Sequence, residues 1–305
     1  METALPPNLP LFHQPWWLDA TGLPWAVATA QNGDAISGIW PFFLEKKYGI
    51  SLLRNPPLCP YLGPWVAFPA DLKESRKESF EHQTVASLLK QLPPAQVVST
   101  ALLPGLKQLD AFAEQGFKAT VRQTFLLSLE GLSETELLQC LSPDYRRNVR
   151  KAAGELQITD SPEALADLYR FSAATLARKG LKPHFSFAYL QGLFNAAHAR
   201  GQAALWTARK GDAIQAVVWH VWDAERSYYL MGAKNPAVQD ARALTALLFH
   251  AMNHSRIGGK KNFDFEGSMD PGVAHFFRHF GGQKELYLIL EKADSLLWRI
   301  KNRLL

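Results

Sequence analysis

Polar and apolar positions alternate from Asn262 to Glu266, with Asn262, Asp264 and Glu266 on one face and Phe263 and Phe265 on the other. That two-residue period predicts a half-buried strand that ends at Gly267 and carries two carboxylates to its C-terminal end. A short helix is expected next, with Asp270 as N-cap and Pro271 at the first helical position. It carries Phe276, Phe277 and Arg278, with Phe280 close behind, and Gly281-Gly282 ends it. The same patterning organises the rest of the chain. Residues 23–44 read as strand, turn and strand around Gln31-Asn32-Gly33-Asp34, and residues 50–53 as a further strand. Residues 55–69 hold five prolines together with Tyr61 and Trp65. They predict a stiff loop, whose aromatics either wall a cleft or pack on themselves. Helices are expected over 74–92 and 106–115, and strands over 96–100 and 117–129.

Beyond residue 131, Ser133 and Glu136 have the spacing of a capping box, and Ser142-Pro143 opens a second short helix. Helices are predicted over 162–179 and 185–200, and strands over 203–209, 213–222 and 227–232. A break follows at Gly232-Ala233-Lys234-Asn235-Pro236, then a helix over 241–257, the 262–266 strand and a last strand over 285–291. The tail from 292 to 305 reads as an amphipathic helix, with Leu296, Leu297, Ile300 and Leu304 opposed to Lys292, Arg299, Lys301 and Arg303. Docking on the body or contact with a membrane surface would both suit it.

The chain also repeats itself. Thr29-Ala30-Gln31-Asn32-Gly33-Asp34-Ala35-Ile36 matches Thr207-Ala208-Arg209-Lys210-Gly211-Asp212-Ala213-Ile214 at six of eight positions, 178 residues on. Gln115-Gly116-Phe117 precedes an apolar strand much as Phe280-Gly281-Gly282 does. A duplicated unit of helices and strands explains both echoes. It divides the chain into residues 1–131 and 132–305, the second part entered through helices over 132–156.

Composition narrows the classes. The chain has 305 residues and is 47% hydrophobic, enough for a sizeable core. Its net charge of +5 suits phosphate-bearing ligands without marking a nucleic-acid binder, and no DNA partner is expected. Cys59 and Cys140 stand far apart, so neither a disulfide framework nor a zinc site is expected. No secretory leader or membrane-spanning run is legible, which gives a cytoplasmic expectation. His250 and His254 share a four-residue spacing, as do His275 and His279, but HAMNH lacks the acid of a zinc-protease helix. Both pairs read as packed or solvated, and no metal is expected. Nothing in the pattern specifies an oligomeric state.

Two motifs carry the chemistry. Phe263-Asp264-Phe265 is followed by Phe277-Arg278-His279-Phe280-Gly281-Gly282, and the helix from Ser142 carries Tyr145, Asn148, Arg150, Lys151 and Ala152. Together they resemble the Fem-type branch of the GNAT superfamily, which includes the FemABX aminoacyl-tRNA-dependent peptidyl transferases and the related BioF2-like acetyltransferase domains. There an aromatic-Asp-Phe strand precedes a Phe-Lys-x-x-Phe-Gly-Gly segment; here Arg278 stands for the usual Lys and keeps the charge without a readily lost proton. The resemblance implies a mixed-sheet α/β fold built from two tandem GNAT-like units, each three-layered α/β/α.

It further implies that residues 227–232 and 262–266 part to hold an acyl donor. Tyr229, Met231 and Gly232 would then contact the donor, and main-chain N–H groups would polarise its carbonyl. Glu266 or Asp264 would take the proton of an attacking amine, with Arg278 nearby. Arg146, Arg147, Arg150 and Lys151 form a cationic helix face that, with Tyr145, would border the substrate; guanidinium forks suit diphosphate or carboxylate. The donor itself stays open. Residues 235–243 contain no glycine where CoA-using relatives carry a pyrophosphate loop, which leaves Arg242 as the local charge. Aminoacyl-tRNA users carry a long helical arm, and the chain has no heptad-like insertion. The expectation is acyl transfer, from acetyl-CoA or another acyl-CoA, to a small-molecule or peptide amine. Aminoacyl-tRNA-dependent transfer to a peptidoglycan precursor and a non-catalytic binding role are the alternatives.

Overall fold

The structure is a computed structural model and describes residues 5–47, 49–106, 109–238, 242–267 and 269–294. In chain order the elements are helix α1 (Pro15–Ala20), strands β1 (Trp25–Asn32), β2 (Ala35–Lys47), β3 (Ile50–Arg54) and β4 (Trp65–Val66), helix α2 (Glu74–Gln91), strand β5 (Val97–Ala101), helix α3 (Asp110–Glu114) and strand β6 (Lys118–Ser128). Then come helices α4 (Glu134–Cys140) and α5 (Pro143–Glu155), strand β7 (Gln157–Asp160), helices α6 (Leu165–Ala177) and α7 (Phe187–Ala199), and strands β8 (Ala203–Lys210), β9 (Ala213–Trp222) and β10 (Arg226–Lys234). Helix α8 (Arg242–Ile257), strand β11 (Asn262–Asp264), helix α9 (Pro271–Arg278) and strand β12 (Gln283–Ala293) complete the described chain.

These elements form two compact units. One runs to Arg122 and takes up the chain again from Leu286; the other is Gln123–Glu285. The division read from the sequence, at 131/132, lies beyond the end of β6, whereas the compact units change over inside that strand.

In the first unit β1, β2, β3, β5 and β12 follow one another across the sheet. The β1–β2, β2–β3 and β5–β12 pairs are antiparallel, and β3–β5 is parallel. The proline-rich loop does supply two strand residues: Trp65 and Val66 pair with Ile39 and Gly38 on β2. Its Tyr61 is fully buried, edge-on to Phe12 and Tyr287, so this aromatic packs inward rather than lining a cleft. Val85 and Leu88 of α2 join Trp40, Ala28, Ala30 and Phe112 in one core cluster.

In the second unit the order is β6-β11-β10-β9-β8-β7, antiparallel except for β10–β11. Ala204, Trp206 and Ala208 alternate along β8 into a core shared with Leu247, Leu248, Ala251 and Met252 of α8. Trp219 of β9 instead meets Phe194 of α7, with ring centres 5.9 Å apart. Helices thus cover both faces, the expected three-layer α/β/α arrangement.

The eight-residue repeat is a repeat of structure as well. Both hairpins turn on a glycine with positive φ, Gly33 at +62° and Gly211 at +57°. Both slip register at the same point, between Ala30 and Gln31 and between Ala208 and Arg209. The residue left between the paired registers is Ser37 in one and Gln215 in the other, each buried. Each turns its carbonyl to a neighbouring segment, accepting from Ala67 N–H at 2.8 Å and from Asn235 N–H at 2.9 Å.

Several expectations change. The strand at 157–160 has no hydrophobic alternation of its own and forms by pairing with β8. β10 runs through Gly232 to Lys234 instead of breaking there. The helix expected over 106–115 is the five residues of α3, and Leu106 lies outside it. Lys292 and Ala293, assigned to the amphipathic tail, belong to β12; residues 295–305 of that tail lie outside the described residues. Among the described residues no helix is long and apolar enough to cross a membrane.

Candidate active site

β11 pairs with β10 in parallel over only three steps, ending at Tyr228↔Asp264 among the described residues. β10 then continues six residues to Lys234, and it is kinked by a register shift between Tyr229 and Met231 against β9. The chain after Asp264 follows β6 instead, Phe265 N–H donating to Phe125 O at 3.0 Å. Two neighbouring strands therefore part at Tyr229 and Phe265, the arrangement expected for an acyl-donor cleft.

The strand stops two residues short of its expected end. Strand geometry ends at Asp264, and Glu266 sits at φ +56°, in the left-handed region that a glutamate seldom adopts. Gly267 continues the bend at φ +59°, pressed so closely on β6 that a Cβ there would stand 2.0 Å from Gln123 O. Nor do the two acids share a solvated face, because Asp264 is fully buried. Its Oδ1 accepts from Thr124 Oγ1 at 2.6 Å and from Glu266 N–H at 2.8 Å, and Arg226 Nη1 lies 3.6 Å from its Oδ2. Asp264 is thus committed to holding the bend.

Glu266 differs. Its Oε1 is buried without a hydrogen-bond partner among the described residues. Burial first, and the Asp264 charge second, push its carboxyl well above the usual carboxylate range. A carboxyl held in this way can exchange a proton nearer neutral pH than an exposed one.

Tyr229 stands at the parting of the strands. Its ring packs edge-on to Phe277 with centres 5.5 Å apart. Its hydroxyl would lie 2.3 Å from a Cβ on Gly232, so only glycine at that position lets the ring fold back along β10. Burial, then the neighbouring Glu266 charge, raise the phenol above its ordinary range. Met231 is half-buried on the same strand.

Asp270 caps α9 through Gly272 and Val273 N–H, as its position in the sequence implies, and also pairs with Lys179 at 2.8 Å. Phe277 and Phe280 enter the core, leaving Arg278 exposed. Gly281, at φ +83°, passes so close to α4 that a Cβ would meet Cys140 O at 2.5 Å. The start of α5 is joined to this segment: Ser142 N–H donates to His279 O at 2.9 Å, and Tyr145 stacks on the His279 ring at 4.9 Å and 28°.

The basic face of α5 is divided. Arg146 donates to the carbonyls of Gln139 and Leu141, closing the end of α4, and Arg147 pairs with Asp144. Arg150 and Lys151 are exposed with no ion pair among the described residues. Arg242, at the first position of α8, forks onto Glu155 at 3.0 and 2.9 Å, which spends its charge within the protein.

No local pattern in the sequence marks Thr124 or Arg226, the partners of Asp264, which lie 140 and 38 residues away from it along the chain. It also missed a buried polar chain in which His220 Nε2 meets Ser255 Oγ at 2.9 Å and Ser255 meets Ser227 at 2.8 Å. Burial keeps His220 well below its ordinary value, hence neutral; this chain ties α8 to the sheet.

Residues 143–278 match the family model described as an acetyltransferase (GNAT) domain. No curated protein matches the chain. Among solved structures, FemX superposes with a TM-score of 0.70 over 92% of each chain at 14% identity. The C-terminal domain of a putative lysylphosphatidylglycerol synthetase from Agrobacterium fabrum gives 0.55 over 92% of this chain and 86% of that one, at 12% identity. A tandem GNAT protein from the clavulanic acid biosynthesis pathway gives 0.53 over 92% and 88%, at 11% identity. At these identities the structures speak for the fold. The chain shares the fold of these structures, tandem GNAT proteins among them, and its 143–278 segment matches a GNAT acetyltransferase domain, which supports acyl transfer at a coarse level.

Proposed function

We propose that the protein is an N-acyltransferase that moves an acyl group, in the first instance acetyl, from acyl-CoA to an amine acceptor in the cleft between β10 and β11. The observation that carries this reading is the end of parallel pairing at Tyr228↔Asp264 while β10 runs on to Lys234. Main-chain groups of Tyr229, Met231 and Gly232 then border the opening and can receive the thioester carbonyl. The amine nitrogen bonds to that carbonyl carbon, and the carbon–sulfur bond breaks. Glu266 takes the proton released by the amine and returns it to the departing thiolate. Arg278, Arg150 and Lys151 offer charge to a carboxylate or phosphate on either substrate. Arg242 is less suited to the pyrophosphate of CoA because Glu155 already occupies it.

A second reading has a specific observation behind it. The FemX similarity, the largest TM-score of the three, favours transfer of an aminoacyl group from aminoacyl-tRNA to a peptidoglycan precursor, with the same cleft and the same carboxyl.

Calorimetric titration with acetyl-CoA and with CoA separates the two. Micromolar binding, about −8 kcal/mol, supports the first reading. No heat at high ligand concentration overturns it, and transfer from aminoacyl-tRNA is then the reaction to assay.

A further inference from the structure

The paired histidines of α9 have no part in the acyl-transfer reading. His275 lies in the last turn of the helix and His279 is its C-cap, four residues on. From the sequence they read as packed or solvated, and the structure gives them a defined geometry. Their Nε2 atoms are 3.0 Å apart, their ring centres 4.5 Å apart, and their planes cross at 82°.

A head-on N–H···N bond with the nitrogens at this separation would hold the ring centres more than roughly 5 Å apart. The contact is therefore a bent hydrogen bond, and at least one Nε2 axis is aimed off its neighbour. Two imidazole nitrogens bound to one ion at about 2.1 Å stand about 3.0 Å apart at the right angle of tetragonal coordination, which Ni²⁺ and Cu²⁺ favour, and about 3.4 Å apart at the tetrahedral angle that zinc favours. The observed 3.0 Å matches the right-angle spacing, and zinc would need the pair to open by about 0.4 Å.

The pair is also held in place. Tyr145 stacks on the His279 ring, which fixes one donor, and the four-residue helical step fixes the other. The C-terminal end of a helix favours a cation. Arg278, exposed in the same turn, opposes one and limits the affinity.

We propose that His275 and His279 form a two-nitrogen chelate for a borderline divalent ion, Zn²⁺, Ni²⁺ or Cu²⁺, whose remaining positions take water or an anionic oxygen. Mg²⁺ and Ca²⁺, which select oxygen donors, are not bound there. Among the described residues no group of three or more His, Cys, Asp or Glu side chains is gathered for a metal, so the site is a two-ligand one.

Calorimetric titration of the chelator-stripped full chain with ZnCl₂ and NiCl₂, against MgCl₂, tests this independently of any acyltransferase activity. The expected result is one saturable site per chain for zinc and nickel and none for magnesium. His275→Ala, an exposed change, should weaken it by roughly tenfold or more. His250→Ala, which alters the other four-residue histidine pair, should leave it intact. Circular dichroism establishes that both variants are folded. Absence of saturable binding by the wild type overturns the proposal, as does binding that His275→Ala leaves unchanged or that His250→Ala removes.

Discussion

Glu266 combines three departures from the ordinary: a left-handed backbone, a buried oxygen without a hydrogen-bond partner among the described residues, and a neighbouring carboxylate. Under either transfer reading, Glu266→Gln should lower turnover about 100-fold or more while circular dichroism stays native. Full activity in that variant would remove Glu266 from the mechanism. Its effect on stability can be tested without a known acceptor. The folded chain holds this proton more tightly than the unfolded chain, whose glutamate has the ordinary value near 4.5. Above that value the unfolded state binds fewer protons, so stability is lost as pH rises toward the folded-state value. Thermal melts between about pH 5 and about pH 8 should show this loss in the wild type and a flatter profile in Glu266→Gln. His13 has the opposite sign. It is fully buried with Nε2 2.7 Å from Gly63 O, and burial lowers it from 6.5 to about 4. Its contribution is complete above 6.5 and lost as pH falls through about 4, so His13→Gln should remove part of the acid sensitivity seen in the melts. At this scale the sequence showed which acids to examine, because the Phe-Asp-Phe pattern is local. It could not show that Asp264 is the one engaged, since Thr124 and Arg226 reach it only through strand pairing.

Elements were most legible where short-range chemistry sets them. Ser133 and Glu136 form the reciprocal capping box their spacing announces. Ser133→Ala should cost about 1 kcal/mol in denaturant unfolding. Asp270 and Pro271 start α9 where expected for the same reason. Legibility failed where a neighbour decides. β7 exists through its pairing with β8, and β11 ends early because the chain must bend against β6. Gly267 marks that bend, where positive φ and the approach of Gln123 O both exclude a side chain. Gly267→Ala should therefore destabilise the protein by more than about 2 kcal/mol and displace Glu266. An unfolding midpoint equal to wild type would show that the backbone there yields.

At the scale of the molecule, the repeat announced a tandem fold, but not which stretch completes which unit. Residues from Leu286 return to the first unit, where Ile289–Ala293 pair with Val97–Ala101. No local pattern marks this, because β12 reads as an apolar strand wherever it lies. Removing the chain from Leu286 onward should speed amide hydrogen exchange across β5 and leave the β8–β9 hairpin protected; equal exchange in both would refute the assignment. The two hairpins carry another consequence. Each keeps its glycine turn, its slipped register and its inward carbonyl 178 residues from the other, while the strands around them have diverged. The eight residues thus behave as an interchangeable part, with the bend encoded inside the segment. Grafting 207–214 in place of 29–36 should leave the melting curve nearly unchanged, whereas a generic two-residue turn would straighten the strand and strand Ser37 without its place. The duplicated bend offers a seam at which loops can be exchanged or inserted without redesigning the sheet.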